Sequence, residues 1–303
     1  MGNSSLFRIA VFYDGQYFFN VSNYYNYNHP KHARISIDGL HNFIIEEISK
    51  QVNVDQKLCR IVDAHYFRGR LSAKDAGSKQ NRLYNERVFD DILMGENITT
   101  HYMPLRATND GRKQEKGVDV WLALEAYEQA IYKKYDALVL VACDGDYVPL
   151  VRKLNTLGTR VMLLGWDFEY TDYNGNIRTT RTSQSLLEEA TYYLPMHTII
   201  DDRNPRDSVK KLFIDPTSLN DSKSYENGKL DFSKSNDVQK STICTLKKDK
   251  GYGFIKGSPD NIFFHYTSLV NIDFNDLEKD MEVQYTTETD SNGKTTAAEV
   301  QVL

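Results

Sequence analysis

The feature that most constrains this chain is a change of hydrophobic period partway along it. In the first two hundred residues, short apolar runs alternate with segments of helical period. This pattern is typical of βαβ units, in which helices cover both faces of a mostly parallel sheet. The predicted strands are 7–13, 58–67, 98–103, 137–142 and 160–164. The predicted helices are 38–51, 79–93, 118–133, 147–157 and 183–190. Such a sheet binds ligands at the carboxyl ends of its strands.

Beyond residue 240, apolar and polar residues alternate in short runs, which predicts a small all-β barrel. A stretch rich in Asp, Asn, Ser and Lys separates this part from the first. We therefore expect an α/β domain over residues 1–203, a polar linker over 204–240 and a barrel over 241–303. The apolar island 209–214 inside the linker is able to dock on either neighbour.

Composition excludes several classes of protein. The 303 residues are 40% hydrophobic and 26% charged, which indicates globular domains rather than a disordered chain. Because the formal net charge is −5, binding to a polyanion requires a local basic patch. The three cysteines form no CxxC pair, so we expect no disulfide framework. No apolar run is long enough for a signal-peptide core or a membrane span, and we expect a cytoplasmic chain without membrane contact.

Acidic residues stand at the ends of two predicted strands. Asp14 ends the first strand, and Asp144 and Asp146 follow the strand 137–142. Asp119 lies at the start of a helix, where the helix dipole favours an anion. Carboxylates that converge repel one another unless a hard divalent cation such as Mg²⁺ or Mn²⁺ neutralises them. The pattern predicts metal-assisted hydrolysis of a phosphodiester.

Each of these acids also has a purely structural interpretation. Asp14 is able to end a strand in a turn, Asp146 to cap the helix that follows, and Asp119 to be a first-turn residue favoured by the dipole. Glu125 lies about 240° around the helix from Asp119, so the two do not share a face. Glu125 is therefore a candidate for the second shell of the site.

The order and spacing of these residues resemble the NYN domain, a PIN-like nuclease family, over roughly residues 7–200. The matching segments read FYDG at 12–15, KGVDV at 116–120 and DGDYVPLV at 144–151. The resemblance implies a three-layer PIN-like fold and ribonuclease activity. It also implies that catalysis and binding of the divalent metal use the residues at the family's acidic positions, namely Asp14, Asp119, Asp144 and Asp146.

The chain departs from the family pattern at three positions. Tyr17 stands where the family usually has Asn, and Asn20 is a candidate substitute for that side chain in the second shell. Ala142 and Cys143 stand where the family has Ser or Thr with Gly. Loss of such orienting groups lowers metal affinity or activity by about 10- to 100-fold.

Two basic segments are candidates for guiding an RNA backbone to this site. Residues 68–82 carry five basic residues against one acid, a net charge of +4, although a solvated helix face explains them equally well. The loop 105–117 lies beside Asp119 and carries four basic residues against two acids, namely Arg106, Arg112, Lys113 and Lys116 against Asp110 and Glu115. The Tyr-rich segment 17–32 is a candidate for base stacking, or for contact with a second copy of the chain or another protein.

The motifs KGYGFI at 250–255 and NIFFHY at 261–266 resemble the two ribonucleoprotein motifs of a cold-shock domain, an OB-fold barrel, over residues 241–303. The resemblance implies binding of single-stranded RNA. It places the stacking and phosphate contacts at Lys250, Tyr252, Phe254, Phe263 and His265. Thr245 and Leu246 replace the family's Trp and Phe, so we expect weak binding; a barrel kept for protein contact is the alternative.

Together these features predict a metal-dependent endoribonuclease that acts on single-stranded RNA delivered by the barrel. The departures at Tyr17, Ala142 and Cys143 motivate a second hypothesis, a non-catalytic RNA-binding or scaffold protein. A DNA-directed PIN-like nuclease is the third, because nothing in the sequence reads a 2′-hydroxyl.

Overall fold

The computed structural model describes residues 5–72, 80–107, 113–171, 177–214, 239–247, 252–257, 261–265, 268–269, 274, 277–289 and 295–302. The chain divides into two compact units, Met1–Lys223 and Ser224–Leu303. No helix in the described ranges has the length and apolarity that crossing a membrane requires. Each unit has its own hydrophobic core, as the change of period in the sequence predicts.

Six strands form the central sheet of the first unit. They are β1 Phe7–Asp14, β2 Cys59–Arg70, β3 Thr99–Pro104, β6 Ala137–Val141, β7 Arg160–Gly165 and β10 Tyr192–Pro195. Their order is β10-β7-β6-β1-β2-β3, and every neighbouring pair is parallel. Two short antiparallel pairs are β4 Arg106–Ala107 with β5 Lys113–Gln114, and β8 Phe168–Thr171 with β9 Ile177–Thr180. The predicted parallel sheet is confirmed, and β10 is an edge strand that the sequence pattern did not predict.

Helices cover both faces of this sheet. They are α1 Gly15–Tyr27, α2 Ile37–Val52, α3 Gln80–Gly95, α4 Val118–Lys133, α5 Val148–Thr156, α6 Gln184–Glu189, α7 Met196–Ile200 and α8 Asp207–Lys210. Alternate residues of β1 serve the two faces, because successive side chains of a strand point to opposite sides. Val11 packs with Phe18 and Leu40 of α1 and α2, whereas Phe12 packs with Leu122 of α4 and Val151 of α5. The result is the expected three-layer fold.

Most of the Tyr-rich segment is helix α1, which the sequence pattern did not predict. Tyr17 and Tyr25 are buried, and the ring of Tyr24 stacks on Phe168 with centroids 4.3 Å apart. Tyr27 remains exposed, at 58% of its surface. The aromatic residues therefore serve mainly the core, and contact with a base or a partner through segment 17–32 stays a prediction that depends on Tyr27.

The apolar island at the start of the predicted linker packs on the first unit. Val209 and Leu212 are buried in its core, and Phe213 forms a bridge with Ile35. The domain thus extends to residue 214, beyond the predicted boundary at 203. The rest of the predicted linker, residues 215–238, lies outside the described residues.

The second unit is a closed five-stranded barrel, as predicted. Its strands are β11 Gln239–Lys247, β12 Tyr252–Ile255, β13 Ile262–His265, β14 Glu282–Thr289 and β15 Thr295–Val302. They close in the order β11-β12-β13-β15-β14. Ile243, Ile255, Phe264 and Val283 lie in the core, which matches the period of two in the sequence.

Candidate active site and nucleic-acid interface

The predicted acids lie where the order of strands in the sheet reverses. From β1 the chain continues through β2 to β3 on one side, whereas β6 leads to β7 and β10 on the other. Such a reversal leaves a crevice at the carboxyl ends of the two central strands. Asp14 is the last residue of β1, and Asp144 follows β6 by three residues. Topology therefore brings two distant parts of the sequence to one crevice.

Asp14 is the most deeply buried of these acids. Its Oδ1 accepts a hydrogen bond of 3.0 Å from the backbone N–H of Tyr17, which caps helix α1, and its Oδ2 accepts one of 3.3 Å from the Tyr147 hydroxyl. Burial raises the pKa of Asp14 to about 6, and the negative charges of Glu115 and Asp119 add to the rise. Asp14 is a carboxylate in a crowded, negative environment.

Tyr147 is a buried side chain on which the charges of three of the predicted acids act. Burial raises the pKa of this hydroxyl well above its usual value, and the nearby charges of Asp14, Asp119 and Asp144 raise it further. The hydroxyl therefore stays protonated at neutral pH and donates to Asp14. Three predicted site residues from three separate elements thus lie within electrostatic reach of one buried side chain.

The acids beyond Asp14 also have structural roles. The side chain of Asp144 accepts a hydrogen bond of 3.0 Å from the N–H of Asp146 and caps the 3-10 turn Gly145–Tyr147. Asp119 lies in the first turn of α4 after Gly117, whose φ is 83°. The side chain that caps the turn after β6 is thus that of Asp144, not that of Asp146. Asp146 is exposed, and its backbone N–H is what connects it to the cluster.

Glu115 is an acidic neighbour of the site that the sequence pattern did not single out. Its Oε1 accepts a hydrogen bond from the N–H of Gly69, at the end of β2. Burial raises the pKa of Glu115, and Asp119 adds to the rise. The sequence feature that could have indicated a role for Glu115 is its position four residues before Asp119. An isolated acid in a basic loop is equally typical of a solvent-exposed charge.

The structure gives the family-divergent positions specific surroundings. The Tyr17 hydroxyl accepts the N–H of Trp166 at 2.6 Å and donates to its carbonyl oxygen at 3.3 Å, so Tyr17 is a buried structural residue. Burial raises the pKa of the Cys143 thiol to about 12, and Asp14 and Asp144 add to the rise. Cys143 is therefore a neutral thiol beside the acids, and Ala142 is buried in the core.

The two second-shell candidates lie differently. Asn20 is exposed on α1 and accepts a hydrogen bond of 2.9 Å from Gln16. Glu125 accepts one of 2.6 Å from Gln129, and its charge acts on His65 and His101 rather than on the buried Asp14. The structure therefore places Glu125 in a separate cluster.

The basic segments contribute less than the sequence suggests. Lys116 is exposed beside Glu115, whereas Arg112 and the side chain of Lys113 lie outside what the structure describes. Within the segment 68–82, Arg70 is held by an ion pair of 2.7 Å with Asp90. Of the two basic side chains of this segment that the structure describes, Arg68 is the one whose charge acts on Glu115 beside the site.

The four predicted stacking residues of the barrel occupy two adjacent strands. In the register of β12 and β13, Tyr252 pairs with His265, and Phe254 pairs with Phe263. The Tyr252 and Phe254 rings have centroids 5.5 Å and 5.7 Å from that of Phe263, and all four side chains are half-buried. The rings form a continuous aromatic face of the kind on which bases stack.

One edge of this aromatic face lacks a ring. Thr245 is exposed on β11 and pairs in register with Phe254, so the position where the cold-shock pattern has Trp lies directly beside the rings. Lys250, the predicted phosphate contact, lies outside the described residues. From Lys240 onward the chain has seven Lys and ten acids, a net charge of −3.

The acidic residues fit a hard divalent cation by their chemistry. All of them offer oxygen, the donor that Mg²⁺ and Mn²⁺ prefer, and the pKa of Asp14 is raised first by burial and then by the negative charges of Glu115 and Asp119. Across the described ranges, no three His, Cys, Asp or Glu side chains are grouped closely enough to hold a metal ion as they stand. A cation would have to draw the carboxylates closer together.

Comparison with known proteins gives two family matches. The NYN domain matches residues 8–197, and the 'Cold-shock' DNA-binding domain matches residues 239–303. The comparison with curated proteins gave no match. Among solved structures, MurG from Acinetobacter baumannii aligns with 65% of this chain at 10% identity and a TM-score of 0.27, a similarity that carries no argument. This chain spans about half of that protein, 49% of its length. The NYN match covers more than half of the chain, and the chain therefore belongs to the NYN domain family, with a cold-shock domain at its C-terminal end.

Proposed function

We propose that this protein is a metal-dependent endoribonuclease that cleaves single-stranded RNA in its NYN domain and binds the strand with its cold-shock barrel. The observation that carries the proposal is that Asp14 and Asp144 follow the two central parallel strands at the crevice, and that their charges and that of Asp119 act on one buried hydroxyl, that of Tyr147. Like charges repel one another, and of these three acids Asp14 is partly buried whereas Asp119 and Asp144 are exposed. A divalent cation that drew the carboxylates together would neutralise their charge.

In this mechanism Asp14, Asp119 and Asp144 would hold Mg²⁺ or Mn²⁺, with exposed Asp146 at the rim. The cation, when bound, supplies stabilisation of the negative charge that develops on the phosphodiester. Asp14 is largely ionised at neutral pH, since its pKa is about 6, and so offers its carboxylate as a ligand. Tyr147 keeps its proton and fixes the orientation of Asp14 through Oδ2. Cys143 stays protonated, so it contributes no nucleophile.

The barrel supports the choice of a single-stranded nucleic acid. Its aromatic face has half-exposed rings, which stack on splayed bases but have no access to bases inside a duplex. The tether between the two units raises the local concentration of bound RNA at the NYN domain. The net charge of −3 and the missing ring at Thr245 suit weak binding that allows release of product.

The direct test is gel-resolved cleavage of an end-labelled single-stranded RNA with Mn²⁺ or Mg²⁺. Cleavage by the wild type should disappear with EDTA and in Asp119→Asn, while RNA binding remains. The matched control is Asp38→Asn, which changes a first-turn aspartate of α2 that contacts Asn42. Equal cleavage by Asp119→Asn and Asp38→Asn would reject the metal site, and a matched DNA strand cleaved equally well would reject the preference for RNA.

A second candidate, an RNA-binding protein without catalysis, is favoured by one observation. Tyr17 stands where the family has Asn, and Ala142 and Cys143 stand where it has Ser or Thr with Gly. Here they are a structural tyrosine, a buried alanine and a neutral thiol, so polar groups able to orient water are lost. This candidate predicts RNA that is bound but intact in every divalent metal. The same gel distinguishes the two functions.

A further inference from the structure

A second group of side chains stands beside Asp14, on the neighbouring strand. In the register of β1 and β2, Asp14 pairs with Phe67, so Arg68 and Gly69 follow at the same edge of the sheet. Adjacent strands lie about 5 Å apart and rise about 3 Å per residue, which places the Cα atoms of Arg68 and Gly69 about 6 and 8 Å from that of Asp14. Neither belongs to the acidic cluster itself.

Arg68 carries a positive charge that is positioned but not neutralised by direct contact. Its guanidinium lies 3.9 Å from the centroid of the Phe19 ring, which holds the side chain by a cation–π contact. Within the described residues, Arg68 has no carboxylate within the 4.0 Å of an ion pair. Its charge is felt by Tyr66 and by Glu115, whose pKa values it lowers against the effect of burial.

Gly69 adds a backbone donor that already holds an anion. Its N–H donates to Oε1 of Glu115 at 2.5 Å. A Cβ at this position would lie 2.5 Å from Cγ of Glu115 and 2.5 Å from Cδ2 of Leu105, so a glycine is what allows the carboxylate to approach. The carboxylate of Glu115 therefore accepts a hydrogen bond from the Gly69 N–H and lies within electrostatic reach of the Arg68 guanidinium.

We propose that Arg68 and the Gly69 N–H form a binding site for a backbone phosphate of the RNA, which the carboxylate of Glu115 occupies until the phosphate displaces it. A guanidinium and a backbone N–H are the donors that proteins use for phosphate oxygens. Burial disfavours the charged form of Glu115, and the negative charge of Asp119 adds to this, although the Gly69 N–H and Arg68 favour it. This inference rests on the proposed function, since it places the bound phosphate next to the acids.

The test measures RNA affinity in EDTA, so that cleavage plays no part. The probe is a fluorescent 20-nucleotide single-stranded RNA, and the chain is full length with Tyr252→Ala and Phe254→Ala to reduce the contribution of the barrel. Arg68→Met, which keeps the apolar stem on Phe19, should weaken binding about 10-fold. It should also reduce the slope of log affinity against log salt by about 0.7, as expected when one phosphate contact is lost.

The distinguishing variant is Glu115→Gln. Because it removes the charge that competes with the phosphate, binding should tighten about 3-fold or more. The matched controls are Arg60→Met, at the opposite end of β2, and Glu128→Gln, at the far end of α4; both residues are exposed. Tryptophan fluorescence checks that each variant is folded. If Arg68→Met fails to fold, Arg68→Lys takes its place. Lysine keeps the positive charge but lacks the planar pair of N–H donors of the guanidinium, so it should weaken binding by a smaller factor.

Two results would overturn the inference. One is binding by Glu115→Gln that is no tighter than binding by Glu128→Gln. The other is binding by Arg68→Met or Arg68→Lys that equals binding by Arg60→Met. Failure of the proposed function looks different, because RNA would then stay intact with Mg²⁺ or Mn²⁺ even though the affinity changes appear as expected.

Discussion

The acidic crevice of the NYN domain and the aromatic face of the barrel are built on opposite principles. The acids come from β1, α4 and the loop after β6, Asp14 lies more than a hundred residues before Asp119 and Asp144 in sequence, and the charges of all three act on the buried hydroxyl of Tyr147. The rings come from two adjacent antiparallel strands and stay half-exposed. One site concentrates charge that folding opposes, whereas the other presents apolar surface that a short hairpin holds in place.

This difference teaches where sensitivity to mutation and to pH should lie. In the acidic crevice, activity should depend on the protonation state of each carboxylate, because each charge shifts the pKa values of its neighbours. A stacking surface depends on contact area, and its rings contribute nearly independently. The four predictions below test this contrast.

The largest effect is expected for Asp14→Asn. Cleavage should fall at least about 100-fold, since even groups that only orient a metal ligand are worth about 10- to 100-fold. The folded-state pKa of about 6 lies above the ordinary 3.8, so the carboxylate lowers stability as the pH rises through 6. In EDTA at pH 7 the variant should therefore melt at the same or a higher temperature, because Asn also caps helices. A lower melting temperature would show that Asp14 is mainly structural.

The next effect is acid destabilisation through His65. Burial, followed by the neighbouring His101 at 3.0 Å, lowers the pKa of His65 to about 4. The unfolded chain binds this proton near pH 6.5, so the contribution of His65 to stability falls as the pH drops from 7 towards 4. Between pH 7 and 5 the loss should be about 2 kcal/mol. His65→Phe, which retains packing against Phe12, should remove most of it.

Both tryptophans of the chain, Trp121 and Trp166, lie in the NYN domain, so urea unfolding followed by their fluorescence reports on this domain within the full-length protein. The control is His32→Asn, which changes an exposed imidazole at a positive φ of 44° that Asn tolerates. An equal loss of stability on acidification in both variants would contradict the assignment to His65.

On the aromatic face, substitutions should act on affinity alone. Phe254→Leu should weaken binding of single-stranded RNA about 10-fold, the typical value of one stacked base, and leave cleavage at saturating RNA unchanged. Thr245→Trp should strengthen binding by a similar factor, because residue 245 is exposed and pairs with Phe254. Fluorescence anisotropy measures both, with Tyr132→Ala, an exposed ring of the NYN domain, as the control. A change in saturated cleavage would mean that the two sites are not separable.

The smallest effect is expected for Tyr147→Phe. The variant keeps the buried ring and removes the hydroxyl that holds Oδ2 of Asp14 across 3.3 Å. Because a neutral hydrogen bond is worth about 1 kcal/mol, cleavage should fall by about 5-fold with RNA affinity unchanged. The same assay on Tyr135→Phe, whose hydroxyl donates to Asp63, provides the control. A loss as large as that of Asp14→Asn would give Tyr147 a direct part in the reaction.

Much of the fold follows from the sequence because its periods are local. The runs that became β1, β2, β3, β6 and β7 are bounded apolar segments, and alternation with helices leaves few topologies besides a parallel sheet. Helix α1 was missed because its apolar positions, Tyr17, Phe18, Val21 and Tyr25, are mixed with Asn and read as an exposed aromatic loop. Edge strand β10 has only four residues, which is too short for its hydrophobic pattern to indicate a strand.

The sequence by itself determined the division into two domains, their fold classes and which acids and rings stand at strand ends, because these depend on residue type and short-range spacing. Only the tertiary structure decided that Glu115 sits between Gly69 and Asp119, that Glu125 belongs with His65 and His101, and that Arg68 rests on Phe19. Those relations join residues that are distant in the chain. They arise from strand order and register, which set the field around each charge and which no local pattern encodes.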